Sequence, residues 1–266
     1  MLNYDVLFQK GVSSGGEFFE DIIEATYTAL LKRGDVVMDC GANVGRHTIP
    51  LSRCVGLDGR VLAFEPTPIL VQKLVMDASK NVWVFEAAIG SENKDEVEFF
   101  VASNSLQMSS IRNPELDFLL TENQKKQIVE IKVRMLTLNA IYEAHNLKDL
   151  RFIKMDIEGA EFSALKAADK LLIEARPMIV FECGFSFTAQ RFNYSKEDFF
   201  AYFQKHGYEL YDLFGRSFVG ECWDQQNIPW YLIAVPIRSS DEQYMMSEHI
   251  KIVSDIDTRG FLSGNR

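Results

Sequence analysis

Apolar runs recur at intervals along the chain, and segments of helical period lie between most of them. Residues 17–32 place Phe18, Ile22, Ala25 and Leu30 at near-helical spacing, which predicts a helix docking on a sheet. Strands are predicted at 35–40, 60–65, 82–87, 151–156 and 178–183; the last is an unbroken apolar run that fits burial on both faces. Helices fall between them: from Gly45 to about 55, at 68–79 behind Pro68, from Thr137 to Ala144, and from Gly159 to about 173. Ser195 caps a further helix ending at Gly207. Tyr208–Leu213 and Trp230–Val235 then read as a closing hairpin at the sheet edge.

One region breaks the β-α alternation. Glu96–Ala102 and Val129–Leu136 alternate apolar and polar residues, as half-exposed strands do. They frame a polar segment in which a loop or short helix is expected at 114–127. This insert, about 96–136, reads either as a substrate-facing excursion over the mouth of the site, where loops on a rigid scaffold carry specificity, or as a surface flap without a role in binding. Residues 1–16 show no clear period and are read as a lead-in arm, 17–236 as the domain, and 237–266 as a partly ordered tail or a dimer arm. The fold class is thus α/β: a doubly wound, mostly parallel sheet with an antiparallel edge strand and a β-excursion between strands three and four.

The chemistry concentrates where the first two strands end. Val36 to Met38 runs into Asp39-x-Gly41-x-Asn43-x-Gly45, and Val61 to Phe64 runs into Glu65-Pro66. Strand, glycine turn, helix, strand and acid build a nucleotide-type pocket at the carboxyl ends of parallel strands. The turn lacks the Gly-x-Gly-x-x-Gly spacing that packs around a pyrophosphate. Asp39 near the turn disfavours phosphate and suits a cation. S-adenosylmethionine supplies an ammonium and a sulfonium, and its ribose offers two hydroxyls to Glu65.

These blocks resemble the FkbM-type methyltransferases of the class I S-adenosylmethionine-dependent superfamily. The likeness rests on Gly34 to Gly45, Ala63-Phe-Glu-Pro66, Ala87-Ala-Ile-Gly90, and Phe152 to Glu161 (Phe-Ile-Lys-Met-Asp-Ile-Glu-Gly-Ala-Glu). It covers roughly residues 20–236. His47 departs from the family's more usual aromatic or small residue, and Ser103–Glu130 is individual. The resemblance implies a class I, Rossmann-like fold and O-methylation of a hydroxyl on a sugar or secondary metabolite.

Composition narrows the partners. The 266 residues carry a formal net charge of −10, which speaks against non-specific binding to nucleic acid. Cys40, Cys54, Cys183 and Cys222 form no Cys-x-x-Cys pair and read as free thiols in a reducing compartment. No apolar stretch reaches a membrane span and no signal-peptide core is seen, so a soluble, cytoplasmic protein is expected.

Candidate roles follow. Asp39, Gly41, Asn43 and Gly45 are expected to face the methionine moiety, Glu65 the ribose, and Ala87 and Ala88, at the end of strand three, the adenine. Lys154, Asp156 and Glu158 share a face if the strand stays extended. Lys154 needs a charged partner there, and Glu182 is the candidate. Asp156, Glu182 and His47 are candidate bases for a hydroxyl acceptor. The carboxylates could instead hold Mg²⁺, a reading ranked below a general base. His145, His206 and His249 receive no role, and Trp223, Trp230 and Phe187 are read as core packing before pocket lining. Two alternatives stay open: an NAD-dependent oxidoreductase on a similar sheet, and a non-catalytic cofactor-binding scaffold.

Overall fold

The computed structural model describes residues 2–102, 111, 128–237 and 241–259. A seven-stranded sheet runs in the order β3-β2-β1-β7-β8-β10-β9. Its strands are β1 (Val36–Cys40), β2 (Arg60–Phe64), β3 (Val82–Phe85), β7 (Leu150–Met155), β8 (Met178–Glu182), β9 (Tyr208–Asp212) and β10 (Tyr231–Pro236). The pairs among β3, β2, β1, β7 and β8 are parallel, whereas β10 is antiparallel to both β8 and β9. The reversed strand therefore lies one place in from the edge. All six of its residues are buried, and an apolar strand gains most between two neighbours.

Side-chain alternation builds two cores. On one face Val37, Phe152, Val180 and Ile233 pack under α1 (Tyr4–Ser13), α2 (Glu17–Leu30) and α3 (Thr48–Val55). On the other, Met38, Ile153, Phe181 and Leu232 pack under α5 (Leu138–His145), α6 (Glu161–Lys166), α7 (Asp169–Glu174) and α9 (Lys196–Lys205). Helix α4 (Pro68–Asp77) sets Leu74 against Ala42 and Ala63. The cap predicted at Ser195 holds, as a capping box with Asp198 on α9, and Thr137 caps α5 by accepting from the Ala140 N–H. A helix not foreseen, α8 (Phe185–Phe192), follows β8.

The excursion is a second, three-stranded sheet in the order β4-β6-β5, made of β4 (Ala88–Ile89), β5 (Lys94–Ala102) and β6 (Ile128–Leu136). The loop or short helix expected at 114–127 lies outside the described residues.

Four expectations change. The stretch read as a lead-in arm contains α1, a helix whose Leu7 and Gly11 are buried. The Ser-Ser-Gly-Gly turn obscured its period; Gly15 and Gly16 take positive φ there, which lets the chain turn directly into α2. The single helix predicted after Gly159 is two, α6 and α7. Strand three ends at Phe85, so Ala88 starts the second sheet. The stretch read as a tail forms α10 (Asp241–Arg259), which buries Met246, His249, Val253 and Ile256. Among the described residues no helix is long and apolar enough to cross a membrane.

His249 holds α10 down. Its Nδ1 lies 2.9 Å from the Thr26 hydroxyl and its Nε2 2.9 Å from the Leu213 carbonyl oxygen. Burial lowers the imidazole from its usual 6.5 to about 4, against an opposing hydrogen bond to Leu213. The unfolded chain therefore takes up a proton below pH 6.5 that the folded protein refuses until about 4. Stability is lost as pH falls through that window, by up to about 3 kcal/mol. Urea unfolding at steps between pH 7 and pH 4 checks this. A His249→Gln variant is expected to be weaker at pH 7 but to lose less across the window; equal losses would contradict it.

Candidate active site

The carboxyl ends of β1, β2, β7 and β8 open onto a cavity of about 350 Å³. Asp39, Gly41, Asn43, His47, Glu65, Ala87, Ala88, Asp156 and Glu182 all line it. Gly45 does not. It takes φ +93°, and a Cβ there would lie 2.9 Å from Leu74 Cδ1, so its smallness serves the packing of α4.

The first loop is built by close approaches. Gly41 has φ +81°, and a Cβ there would sit 1.8 Å from the Asp156 carbonyl oxygen. The glycine is thus required by the end of β7, a neighbouring backbone rather than a ligand. Asn43 also lies in the left-handed region, at φ +49°. Glu65 is 5 % exposed and pins this loop. Its Oε2 accepts from the Asn43 N–H at 3.0 Å and its Oε1 from the Thr67 N–H at 2.8 Å. Burial raises the Glu65 carboxyl above its usual range, against the backbone N–H bonds that lower it. Asp39 Oδ2 accepts from the Thr48 hydroxyl at 2.5 Å, while its buried Oδ1 has no partner among the described residues. A buried carboxylate oxygen left open on a cavity is a place for a donor.

A charged network forms the opposite wall. Lys154 stands beside Asp39 in the β1–β7 register and faces the α2 side of the sheet. Its ammonium lies 3.2 Å from Asp156 Oδ2. That corrects the expected Glu182 partner: the nearer carboxylate is on its own strand end, two residues on. Burial alone would lower Lys154, but the charges of Asp156, Glu20 and Asp39 outweigh it and hold the ammonium charged. The Tyr231 hydroxyl contacts Asp156 Oδ2 at 2.8 Å and Glu20 Oε1 at 2.6 Å. Glu20 Oε2 contacts His47 Nε2, and His47 Nδ1 lies 3.2 Å from the Tyr27 hydroxyl. Burial pushes Glu20 up, yet the His47 hydrogen bond and the Lys154 charge bring it down to about 2. His47 has both ring nitrogens engaged and is 2 % exposed, so it lines the cavity without presenting an open nitrogen to it.

Beyond Asp156 the chain leaves the strand. Glu158 and Gly159 take φ +58° and +95°, so Glu158 does not continue the extended face on which it was expected. Glu161 Oε1 accepts from the Ile157 and Gly159 N–H groups at 2.7 and 3.2 Å and closes this turn. Glu158 is raised to about 8 by burial and by its neighbours Asp156 and Glu161. Burial and the same neighbours raise Glu182 well above its usual range. Asp156, Glu161 and Glu182 bring ligand oxygens within 4.8 Å of one another, but Glu161 is committed to the turn.

The family model described as the methyltransferase FkbM domain matches residues 39–210. The chain belongs to the FkbM methyltransferase family. It is an S-adenosylmethionine-dependent methyltransferase, built on an α/β fold with a mostly parallel sheet. No curated protein matches the chain. Among solved structures it is similar to a putative rRNA methylase from Clostridium thermocellum, at 12 % identity over 79 % of this chain and 90 % of that one, TM-score 0.43. It is also similar to an S-adenosylmethionine-dependent O-methyltransferase from Thermotoga maritima, at 15 % identity over 83 % and 66 %, TM-score 0.42. A third is Aeropyrum pernix fibrillarin with bound S-adenosylmethionine, at 14 % identity over 80 % and 73 %, TM-score 0.40.

The methyltransferase cavity also takes residues that sequence reasoning missed. These are Glu20 on α2, Tyr231 on β10 and Arg46, which is paired with Glu24 and Asp21. Glu20 is one of several acids on α2, and only its neighbours Phe19, Ile22 and Ile23, all buried, hint that it faces inward. Trp230 lines the cavity, with its ring 4.6 Å from that of Phe19. Trp223 is core, as expected, whereas Phe187 is 37 % exposed.

Two stability predictions follow. Lys154→Met leaves Asp156 and Glu20 without their cation and is expected to cost about 3–5 kcal/mol in urea unfolding. A loss under about 1 kcal/mol would mean that the network does not depend on it. Gly41→Ala is expected to cost at least about 2 kcal/mol, because the added Cβ meets backbone that cannot yield. A melting temperature equal to wild type would contradict that geometry.

Proposed function

We propose that this cavity binds S-adenosylmethionine and that the enzyme O-methylates a hydroxyl of a small molecule, a sugar or a secondary metabolite. The observation that supports this best is the pair Asp39 and Glu65: both buried, both on one cavity, both at ends of adjacent parallel strands. The open Oδ1 of Asp39 suits the ligand ammonium. Each Glu65 oxygen already takes one backbone N–H, and each has a lone pair left for a ribose hydroxyl. Backbone at Gly41 and Asn43 borders the methionine, and Ala87 and Ala88 leave room for the adenine.

Methyl transfer is an in-line displacement that disperses the sulfonium charge, so alignment and exclusion of water are the main tasks. A hydroxyl acceptor must also lose its proton. Asp156 is our candidate base. Its Oδ2 lies 3.2 Å from the Lys154 ammonium and 2.8 Å from the Tyr231 oxygen, and Oδ1 is the oxygen that meets the acceptor. Glu182, raised by burial, is suited to donate a hydrogen bond and orient the acceptor oxygen. His47 supports Glu20. The Asp39 charge and the absence of a glycine-rich pyrophosphate turn disfavour the oxidoreductase reading.

Isothermal titration calorimetry of the full chain tests the cofactor reading. S-adenosylmethionine and S-adenosylhomocysteine are each expected to bind with Kd on the order of micromolar. Glu65→Ala is expected to weaken both by about 1.5–3 kcal/mol. It also lowers stability, because two backbone N–H groups lose their acceptor. No binding of either ligand by folded protein would remove the proposal. With an acceptor in hand, Asp156→Asn is expected to lower kcat far more than it lowers cofactor affinity; equal losses would assign Asp156 to binding.

A further inference from the structure

The Tyr231 hydroxyl makes two contacts that one hydrogen cannot serve. It lies 2.6 Å from Glu20 Oε1 and 2.8 Å from Asp156 Oδ2, and the residue is 3 % exposed. A phenol has one hydrogen to donate and two lone pairs to accept with. One of the two oxygen–oxygen contacts is therefore without a hydrogen whenever both carboxylates are ionised. The neighbours decide which. Asp156 Oδ2 already has the Lys154 ammonium at 3.2 Å, while Glu20 Oε1 has only Tyr231. The hydroxyl thus donates to Glu20, and the contact lacking a hydrogen is the one to Asp156.

We propose that this contact is the seat for the proton released in the reaction, with Tyr231 and Glu20 as positioning residues for Asp156. The proposal rests on Asp156 being the base. In the step, the acceptor O–H bond breaks and its electron pair forms the new O–CH₃ bond. The CH₃–S bond breaks with its pair left on sulfur, giving the neutral thioether. The proton goes to Asp156 Oδ1, the oxygen that meets the acceptor, and a half-turn of the carboxyl about its Cβ–Cγ bond brings the protonated oxygen to face Tyr231. There it donates to the Tyr231 oxygen, which goes on donating to Glu20, and both short contacts then hold a hydrogen. The protonated form of Asp156 is thereby stabilised by a chain whose far end is His47 on Glu20.

Charged and titratable groups surround Asp156 from every element packed on it: Lys154 on β7, Glu158 and Glu161 in the following turn, Glu182 on β8, Tyr231 on β10, Glu20 on α2 and Asp39 on β1. A Tyr231→Phe substitution leaves all of these charges in place and removes one neutral oxygen. Its effect on Asp156 therefore has a sign that tells the two bonding patterns apart.

The test is a pH titration of ligand-free, full-length protein carrying ¹³C in the aspartate side-chain carboxyls, read by NMR. The Asp156 signal is the one missing in Asp156→Asn. In Tyr231→Phe, the protonated carboxyl loses its acceptor, so the Asp156 midpoint is expected to fall by about one pH unit. A midpoint that rises would mean that Tyr231 donates to the ionised carboxylate and merely braces it. An unchanged midpoint would mean that the contact is inert, and either result overturns the proposal. Thermal melting reports whether the variant is folded. Should Tyr231→Phe fail to fold, Tyr231→Met removes the same oxygen with a flexible apolar side chain and gives a second reading; the same fall is expected, and a rise or an unchanged midpoint overturns the proposal. Cofactor binding is not needed for either titration, so failure here and failure of the calorimetry are separate results.

Discussion

The buried Lys154 ammonium is the constraint around which this site is arranged. A cation placed in the middle of a sheet is tolerable only when carboxylates meet it. Here they come from three directions: Asp156 from its own strand end, Asp39 from β1 beside it and Glu20 from α2 above it. Glu20 in turn engages His47 and Tyr231, so α2, the start of α3 and the last strand are held by one charge. The same charges make the cavity wall polar and fixed, which is what a reaction limited by alignment requires.

Close backbone approach is the second constraint. The carbonyl of Asp156 comes so near Gly41 that no side chain fits between them. This ties the loop after β1 to the turn after β7. Glu65 completes the tie by holding Asn43 and Thr67 through their N–H groups. Its carboxylate therefore has a structural task before any ligand arrives. The glycines and acids of the loop are as much parts of a joint as parts of a pocket.

Much of this was legible in the sequence because it depends on local pattern. The positions of the strands followed from apolar runs separated by helices, and the acids at strand ends marked the cavity. The β-excursion showed in the alternation of Glu96–Ala102 and Val129–Leu136. What escaped depends on contacts between distant segments. Glu20 reads as one more acid on an acidic helix, and Tyr231 as one more apolar strand residue, until the sheet brings them together. Lys154 plainly needed a partner, but strand pairing alone pointed to Glu182, whereas the chain's bend after Met155 supplies Asp156. His249 looked isolated because its partners, Thr26 and Leu213, lie far along the chain on α2 and beyond β9. Helix α1 was hidden by the glycine turn that lets it fold back on α2.

The central claim is that Asp39 and Glu65 form the two polar ends of one cofactor site. A crystal structure of the protein with S-adenosylhomocysteine tests it most directly. The account predicts the ligand ammonium within hydrogen-bond distance of Asp39 Oδ1, directly or through one water, and both ribose hydroxyls on the Glu65 carboxylate. A ligand bound elsewhere, or bound in this cavity with its ribose away from Glu65, would contradict it.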